Sequence, residues 1–249
     1  MSEIPKHELL LYRKLCDNFN IVFDVGCRDD LEYYSIKNDC EYHLFEPHTP
    51  SLNSIKDKIS KLDNPNIHLN EYGLSNETID NHIYYENVQS FVEHWCVKSK
   101  DGGHRYSLKK LDDYIDINNI DKIDFLKIDV EALDYQVILG GLKNIKDDNK
   151  VSFIQVEYSN GLRQYIELLD NFHFYLMIEP RLLEVINKFN ESDVDFNNSL
   201  VKLDNEIIDF IDVKLRGSGA GGNIFGINKN INLDIVDKND LIIKIRKSE

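Results

Sequence analysis

Seven short apolar segments, separated by stretches with helical spacing, set the tightest limit on what this chain can fold into. They are IVFDVG (21–26), YHLFEP (42–47), IHLNEYGL (67–74), IDFLKIDVE (123–131), VSFIQVEYS (151–159), HFYLMIEP (173–180) and NIFGINK (223–229). Between the second and third, Leu52, Ile55, Ile59 and Leu62 recur at the interval of one helix face. After the fourth, Leu133, Val137, Ile138, Gly141, Leu142 and Ile145 do the same. Strands alternating with helices predict a mostly parallel sheet covered on both faces, an α/β fold. No linker or internal repeat divides the sequence, so a single domain over 1–249 is expected. It would carry a docking helix within 1–20 and an insertion at 181–216 before the last strand. The segment 75–122 is less regular: NHIYYENV alternates like a strand, and GGHRYSLKKLDDYI reads as a turn followed by a strand or short helix.

In such sheets ligands bind beyond the carboxyl ends of the strands, near the point where strand order reverses. Four of the predicted strands end in acid: Asp24, Glu46, Asp129 with Glu131, and Glu157. In FDVGCRDD, Gly26 permits close backbone approach, and Glu46 at the end of the second strand is placed to accept both hydroxyls of a ribose. Arg28, Asp29 and Asp30 stand where a dinucleotide fingerprint would continue with glycines. Two acids there repel a pyrophosphate and suit a ligand bearing a sulfonium and an amine, as S-adenosylmethionine does. A second pattern, GSGAGG at 217–222, matches G-x-G-x-x-G, but the NIFGINK that follows is a strand rather than a helix start. It is expected to be a loop entering the last strand.

Composition narrows the partners. The net charge of -15 repels phosphate backbones, and no basic patch offsets it, so no nucleic-acid partner is expected. No apolar run approaches the roughly 20 residues of a membrane span. The start, MSEIPKHELLLYRKL, lacks the cationic and apolar regions of a signal peptide. Cys16, Cys27, Cys40 and Cys96 show no C-x-x-C spacing and read as reduced, packed thiols. Together these predict a cytoplasmic protein with no membrane contact. The oligomeric state is not legible.

IVFDVGCRDD, LFEPHTP, IHLNEYGLSNE, LKKLDDYI and above all IDFLKIDVEALDYQVILGG resemble the FkbM family of S-adenosylmethionine-dependent methyltransferases, in the family's order from about residue 20 to 160. The resemblance implies the class I methyltransferase fold, a Rossmann-like, seven-stranded, mostly parallel sheet with helices on both faces. It implies O-methyl transfer to a hydroxyl of a sugar, glycan or related small molecule. The cofactor-binding set carried onto this chain is Asp24, Gly26, Arg28, Glu46, Pro47, Tyr72, Gly73, Leu74 and Asp129. Within it Glu46 would take the ribose, the stretch around Tyr72 the adenine, and Asp129 the methionine portion. Asp30 and Ala132 stand where the family usually has glycine. Two alternatives stay open: a methyltransferase-fold binding or scaffold protein impaired at Asp30, and an RNA ribose methyltransferase, which the acidic surface disfavours.

Methyl transfer to a hydroxyl needs a base or a metal to remove the proton. The catalytic candidates are Asp129, Glu131, His104 and Glu157, with His104 in its glycine turn the preferred histidine. Asp129, Glu131 and Glu157 are also the residues able to form an oxygen site for Mg²⁺. The reading without metal has Asp129 orienting the cofactor and Glu131 capping the next helix. His43 and His173 lie in strands and read as structural, and His48 follows FEP, where it could face the adenosine. Phe91, Trp95 and Tyr158 could stack on a sugar, though core packing is the favoured fate of each.

Overall fold

The structure, a computed structural model, describes residues 6–28, 32–62, 64–84, 104–130, 133–158, 161–178, 180–189, 200–214, 222–231, 233–236 and 242–245. Asp29, Asp30, Phe91, Trp95, Cys96, Glu131, Ala132, the side chain of His104 and the loop 217–221 lie outside that description. The chain begins with α1 (Lys6–Leu15) and alternates through β1 (Ile21–Val25), α2 (Glu32–Ile36), β2 (Glu41–Phe45), α3 (Thr49–Ile59) and β3 (Ile67–Asn70). β4 (Gly73–Leu74), β5 (Ile79–Tyr84) and β6 (His104–Lys109) follow. The alternation resumes with α4 (Leu111–Ile117), β7 (Ile123–Ile128), α5 (Asp134–Gly140), α6 (Leu142–Ile145), β8 (Val151–Tyr158), α7 (Arg163–Leu168) and β9 (Phe172–Met177). It closes with α8 (Pro180–Phe189), β10 (Leu200–Lys202), α9 (Asn205–Asp209), β11 (Gly222–Asn228), β12 (Leu233–Val236) and β13 (Ile242–Ile245).

The main sheet runs β3-β2-β1-β7-β8-β11-β9-β10. Its first half is parallel throughout, β11 is antiparallel to both neighbours, and β10 is antiparallel to β9. This is the class I methyltransferase sheet, with eight strands where seven were expected. The extra strand, β10, comes from the segment read as an insertion, and it adds three residues to the open edge of β9. Strand order reverses between β1 and β7, which diverge from one another toward opposite edges, so their carboxyl ends bound the crevice.

The central strands are buried on both faces, which is why their sequences are nearly continuous apolar runs. On one face Phe23, Val25, Leu126, Ile128, Ile154 and Ile224 pack under α4 to α9. On the other, Val22, Phe125, Phe153 and Phe225 pack against α1, α2 and α3 through Leu11, Tyr12, Tyr34 and Ile55. Phe19, Phe125, Phe153 and Phe225 form a run of ring contacts across that second face. The segment 67–74, expected as one strand, divides: β3 stays in the main sheet, while β4 pairs with β6 in a three-stranded sheet ordered β4-β6-β5. The helix after β7 breaks at Gly141 into α5 and α6. β12 and β13 form a separate antiparallel pair that the sequence did not announce. Among the described residues, no helix is long and apolar enough to cross a membrane.

Candidate active site

The turn after β1 is built around a forced close approach. Gly26 has φ +83, and a Cβ there would lie 1.9 Å from the carbonyl oxygen of Asp129. Only glycine lets the chain leaving β1 pass that closely beneath the chain leaving β7. Backbone bonds lock the tips: the Gly26 N–H donates to the Phe45 carbonyl (2.9 Å), and the Asp129 N–H donates to that of Val25 (2.9 Å). Arg28 also takes a positive φ, 48, and this turns its N–H toward the end of β2.

That N–H donates to Glu46 Oε2 at 2.9 Å, and the His48 N–H donates to Glu46 Oε1 at 2.8 Å. Glu46 is only 4% exposed. Burial raises its pKa above the ordinary carboxylate value, against the two backbone donors and Arg28, which favour the charged form. The carboxylate is thus fixed in orientation, while each oxygen keeps a lone pair for a further donor.

Asp24 is buried beside it. Its Oδ2 accepts from the Tyr34 hydroxyl at 2.6 Å. Its Oδ1 is buried, has no hydrogen-bond partner, and lies 3.7 Å from the ammonium of Lys127. The same ammonium donates to Asp129 Oδ2 at 3.2 Å. β1 and β7 are in register with Asp24 opposite Lys127, which puts those two side chains on one face, and the contact to the Lys127 ammonium brings Asp129 to the same side. Burial alone would lower the Lys127 pKa, but Asp129 and Asp24 outweigh it and hold the ammonium well above its usual value. A second polar group continues this row. Gln155 pairs in register with Lys127. Glu8 of α1, 3% exposed, accepts from Gln155 Nε2 (2.6 Å), Asn223 Nδ2 (3.0 Å) and the Tyr33 hydroxyl (3.2 Å). The docking helix therefore caps the buried polar row.

The remaining predicted cofactor residues gather at the β2 side. A Cβ on Gly73 would lie 3.4 Å from Pro47 Cγ, so β4 sits against the residue that follows Glu46. The Tyr72 hydroxyl donates to Asn70 Oδ1 at 3.1 Å, and the Lys109 ammonium lies 4.0 Å from the centre of the Tyr72 ring. Leu74 is buried and pairs with Lys109. Asp24, Gly26, Arg28, Glu46, Pro47 and Asp129 thus sit at one end of the main sheet, with Gly73 of the smaller sheet against Pro47 and Leu74 buried in the core.

The catalytic candidates are less closely grouped. β8 pairs Val156 with Ile128, so Glu157 stands level with Asp129 on the neighbouring strand. Glu131 lies outside the described residues, and β7 ends at Ile128, one residue before Asp129, so strand alternation no longer fixes where residues 129 and 131 point. The Lys127 ammonium already faces Asp129, on the group that a Mg²⁺ would need. His104 begins β6, four residues before the Leu108 that pairs with Gly73, which is on the order of 13 Å of extended chain away. The His48 ring nitrogen Nδ1 meets Ser51 Oγ at 2.9 Å, and Tyr158 is buried in the core.

Sequence reasoning missed Lys127, Tyr34 and Glu8. A lysine inside FLKIDVE did carry a signal, since a cation in the middle of an apolar strand must have buried partners.

The family model described as "Methyltransferase FkbM domain" matches residues 20–182, more than half of the chain. No curated protein matches it significantly by sequence. Among solved structures it is similar to methyltransferase FkbM from Methylobacillus flagellatus KT, at 14% identity and a TM-score of 0.45, over 66% of this chain and 44% of that one. The match thus spans less than half of that protein's length. It is also similar to precorrin-6y C5,15-methyltransferase from Geobacter metallireducens GS-15, at 9% identity and a TM-score of 0.40, over 89% and 88% of the two chains. A third is an rRNA methylase from Streptococcus thermophilus, at 12% identity and a TM-score of 0.43, over 92% and 98%.

Proposed function

Because the chain belongs to the methyltransferase FkbM domain family, we propose that it uses S-adenosylmethionine to methylate a hydroxyl of a sugar, glycan or related small molecule. The observation that carries this reading is the Glu46 carboxylate, buried at the tip of β2 and held by two backbone N–H groups with lone pairs to spare. A vicinal diol is what such a fixed, two-oxygen acceptor suits. The cofactor fits a second feature too: the buried Asp24 Oδ1 lacks a hydrogen-bond donor, and an amine would supply one.

Charge supports the same assignment. Asp24, Glu46 and Asp129, with Glu8 at the inner end of the row, outnumber Lys127 and Arg28 and leave the site net negative. S-adenosylmethionine, with a sulfonium, an amine and a carboxylate, is a net monocation. Bound there, it would supply an electrophilic methyl group. Pro47 and Tyr72, both partly exposed, offer the apolar and aromatic surface that an adenine needs. Lys127 keeps Asp24 and Asp129 from repelling each other before any ligand arrives. Asp129 and Glu157, at matching levels just past β7 and near the end of β8, are the carboxylates assigned to receive the acceptor's proton.

The acceptor class is tested by incubating the protein with methyl-labelled cofactor and a panel of sugars, free and polymer-linked, beside an RNA transcript. Label in a sugar supports the proposal. Label in the RNA alone replaces it with the ribose methyltransferase reading, and cofactor binding without transfer to any acceptor favours a scaffold role.

A further inference from the structure

The far edge of the sheet holds a cluster that the cofactor crevice does not use. Glu41 opens β2, His43 follows two residues on, and the β2–β3 register sets His43 directly opposite His68. Glu41 Oε1 lies 3.1 Å from His43 Nε2 and 3.3 Å from His68 Nε2. The three ligand atoms all fall within 4.8 Å of one another, and among the described residues no other group of His, Cys, Asp and Glu converges this way. The two imidazoles stack at 4.8 Å with 19° between their planes. A carboxylate and two imidazoles form a ligand set suited to a borderline transition metal rather than to Mg²⁺ or Ca²⁺.

Three observations separate this cluster from an ordinary surface contact. His43 is 3% exposed, and its Nε2 is buried without a completed hydrogen bond although Glu41 stands close. Its other nitrogen, Nδ1, lies 2.7 Å from the Tyr114 hydroxyl, which fixes the ring and aims Nε2 at the other two ligands. A metal-bound histidine ordinarily donates its other N–H to a carboxylate, carbonyl or water, and the Tyr114 hydroxyl takes that place here. The spacing also fits. Zinc bonds of about 2.0 to 2.2 Å at tetrahedral angles separate ligand atoms by about 3.3 to 3.5 Å. The two separations from Glu41 Oε1, 3.1 and 3.3 Å, fall close to that edge length.

We propose that Glu41, His43 and His68 form a three-ligand site for a divalent transition metal of the zinc class, with its fourth position open to solvent. The side chains of His68 and Glu41 are 51% and 39% exposed, so an ion can enter from the sheet edge without unfolding the protein. Once bound, it would add a coordination clamp between β3 and β2, on top of the sheet ladder and the Glu41–His68 contact. Its position in β2 precedes Glu46, so the site is distinct from the cofactor crevice.

The test uses the full chain, stripped with a chelator and titrated with Co²⁺, whose tetrahedral complexes absorb strongly in the visible. One Co²⁺ per chain, with those bands displaced by Zn²⁺, is the expected result. His68→Ala, on an exposed residue, should keep the native circular dichroism and lose the bands. Tyr114→Phe should bind about 10- to 100-fold more weakly, as removal of an outer-shell partner does. Absence of visible bands in the wild-type protein overturns the proposal. So does binding that His68→Ala leaves intact, or thiolate charge-transfer bands, which would assign the metal to cysteine.

Discussion

Replacing Lys127 with Met removes the charge that links the tips of β1 and β7 while keeping an apolar stem of similar length. Asp24 and Asp129 would then face one another with no cation between them. Removing one partner of a buried pair costs about 3 to 5 kcal/mol. The Asp129 side chain is 35% exposed and keeps some water, and the contact to Asp24 is 3.7 Å, so the lower end applies. A loss of about 3 kcal/mol lowers the melting temperature by about 6 to 12 °C for a chain of this size. The loss also has a pH signature. The Lys127 pKa stands above its ordinary value in the folded protein, because Asp129 and Asp24 outweigh the effect of burial. Its contribution is therefore complete below about pH 10 and fades only as pH rises through the folded value. In the variant the stranded carboxylates can be neutralised by protons, so the gap from wild type should narrow as pH falls from neutral toward about 4. Urea unfolding followed by circular dichroism across that range measures it. A deficit below about 1 kcal/mol at neutral pH, the size of an exposed ion pair, would refute the reasoning. A deficit that stayed constant with pH would refute it equally, by reducing Lys127 to a packing residue.

Gly26→Ala must both adopt a left-handed backbone and displace the Asp129 carbonyl. It should cost about 2 to 5 kcal/mol in chemical denaturation and weaken cofactor binding as the two tips separate. Glu8→Ala strips the acceptor from Gln155, Asn223 and Tyr33 at once. A stability loss of about 3 kcal/mol is expected, read from the same unfolding curves, because buried donors are left unsatisfied. Asp129→Asn should lower turnover in a methyl-transfer assay by more than Gly219→Ala does. Equal effects would mean that the glycine-rich loop matters as much as the strand tips.

The main sheet was legible because burial on both faces writes its central strands β7, β8 and β11 as apolar runs that no exposed segment would tolerate. The smaller sheet was not. β4 is two residues long, and its partner β6 is set by a parallel pairing across more than thirty residues that no local pattern encodes. The split of 67–74 follows from a bend at Glu71 and Tyr72, which nothing in the strand-like pattern of IHLNEYGL marks. Acidic strand ends were legible because a terminal carboxylate is visible from the strand that precedes it. Lys127 was overlooked because lysine usually marks a surface, and Glu8 because an acid in a first helical turn is ordinary. The pairing of His43 with His68 depends on register between two strands more than twenty residues apart, so a single sequence gave no reason to join them.

The account rests on Glu46 as the fixed acceptor at the tip of β2. Isothermal titration of S-adenosylmethionine into wild-type protein and Glu46→Ala tests it directly. Micromolar, heat-releasing binding by the wild type is predicted, with affinity in the variant reduced at least about 10- to 100-fold, the loss of one charge-assisted hydrogen bond. Equal affinity in the two proteins, or no binding by the wild type at millimolar cofactor, would contradict it.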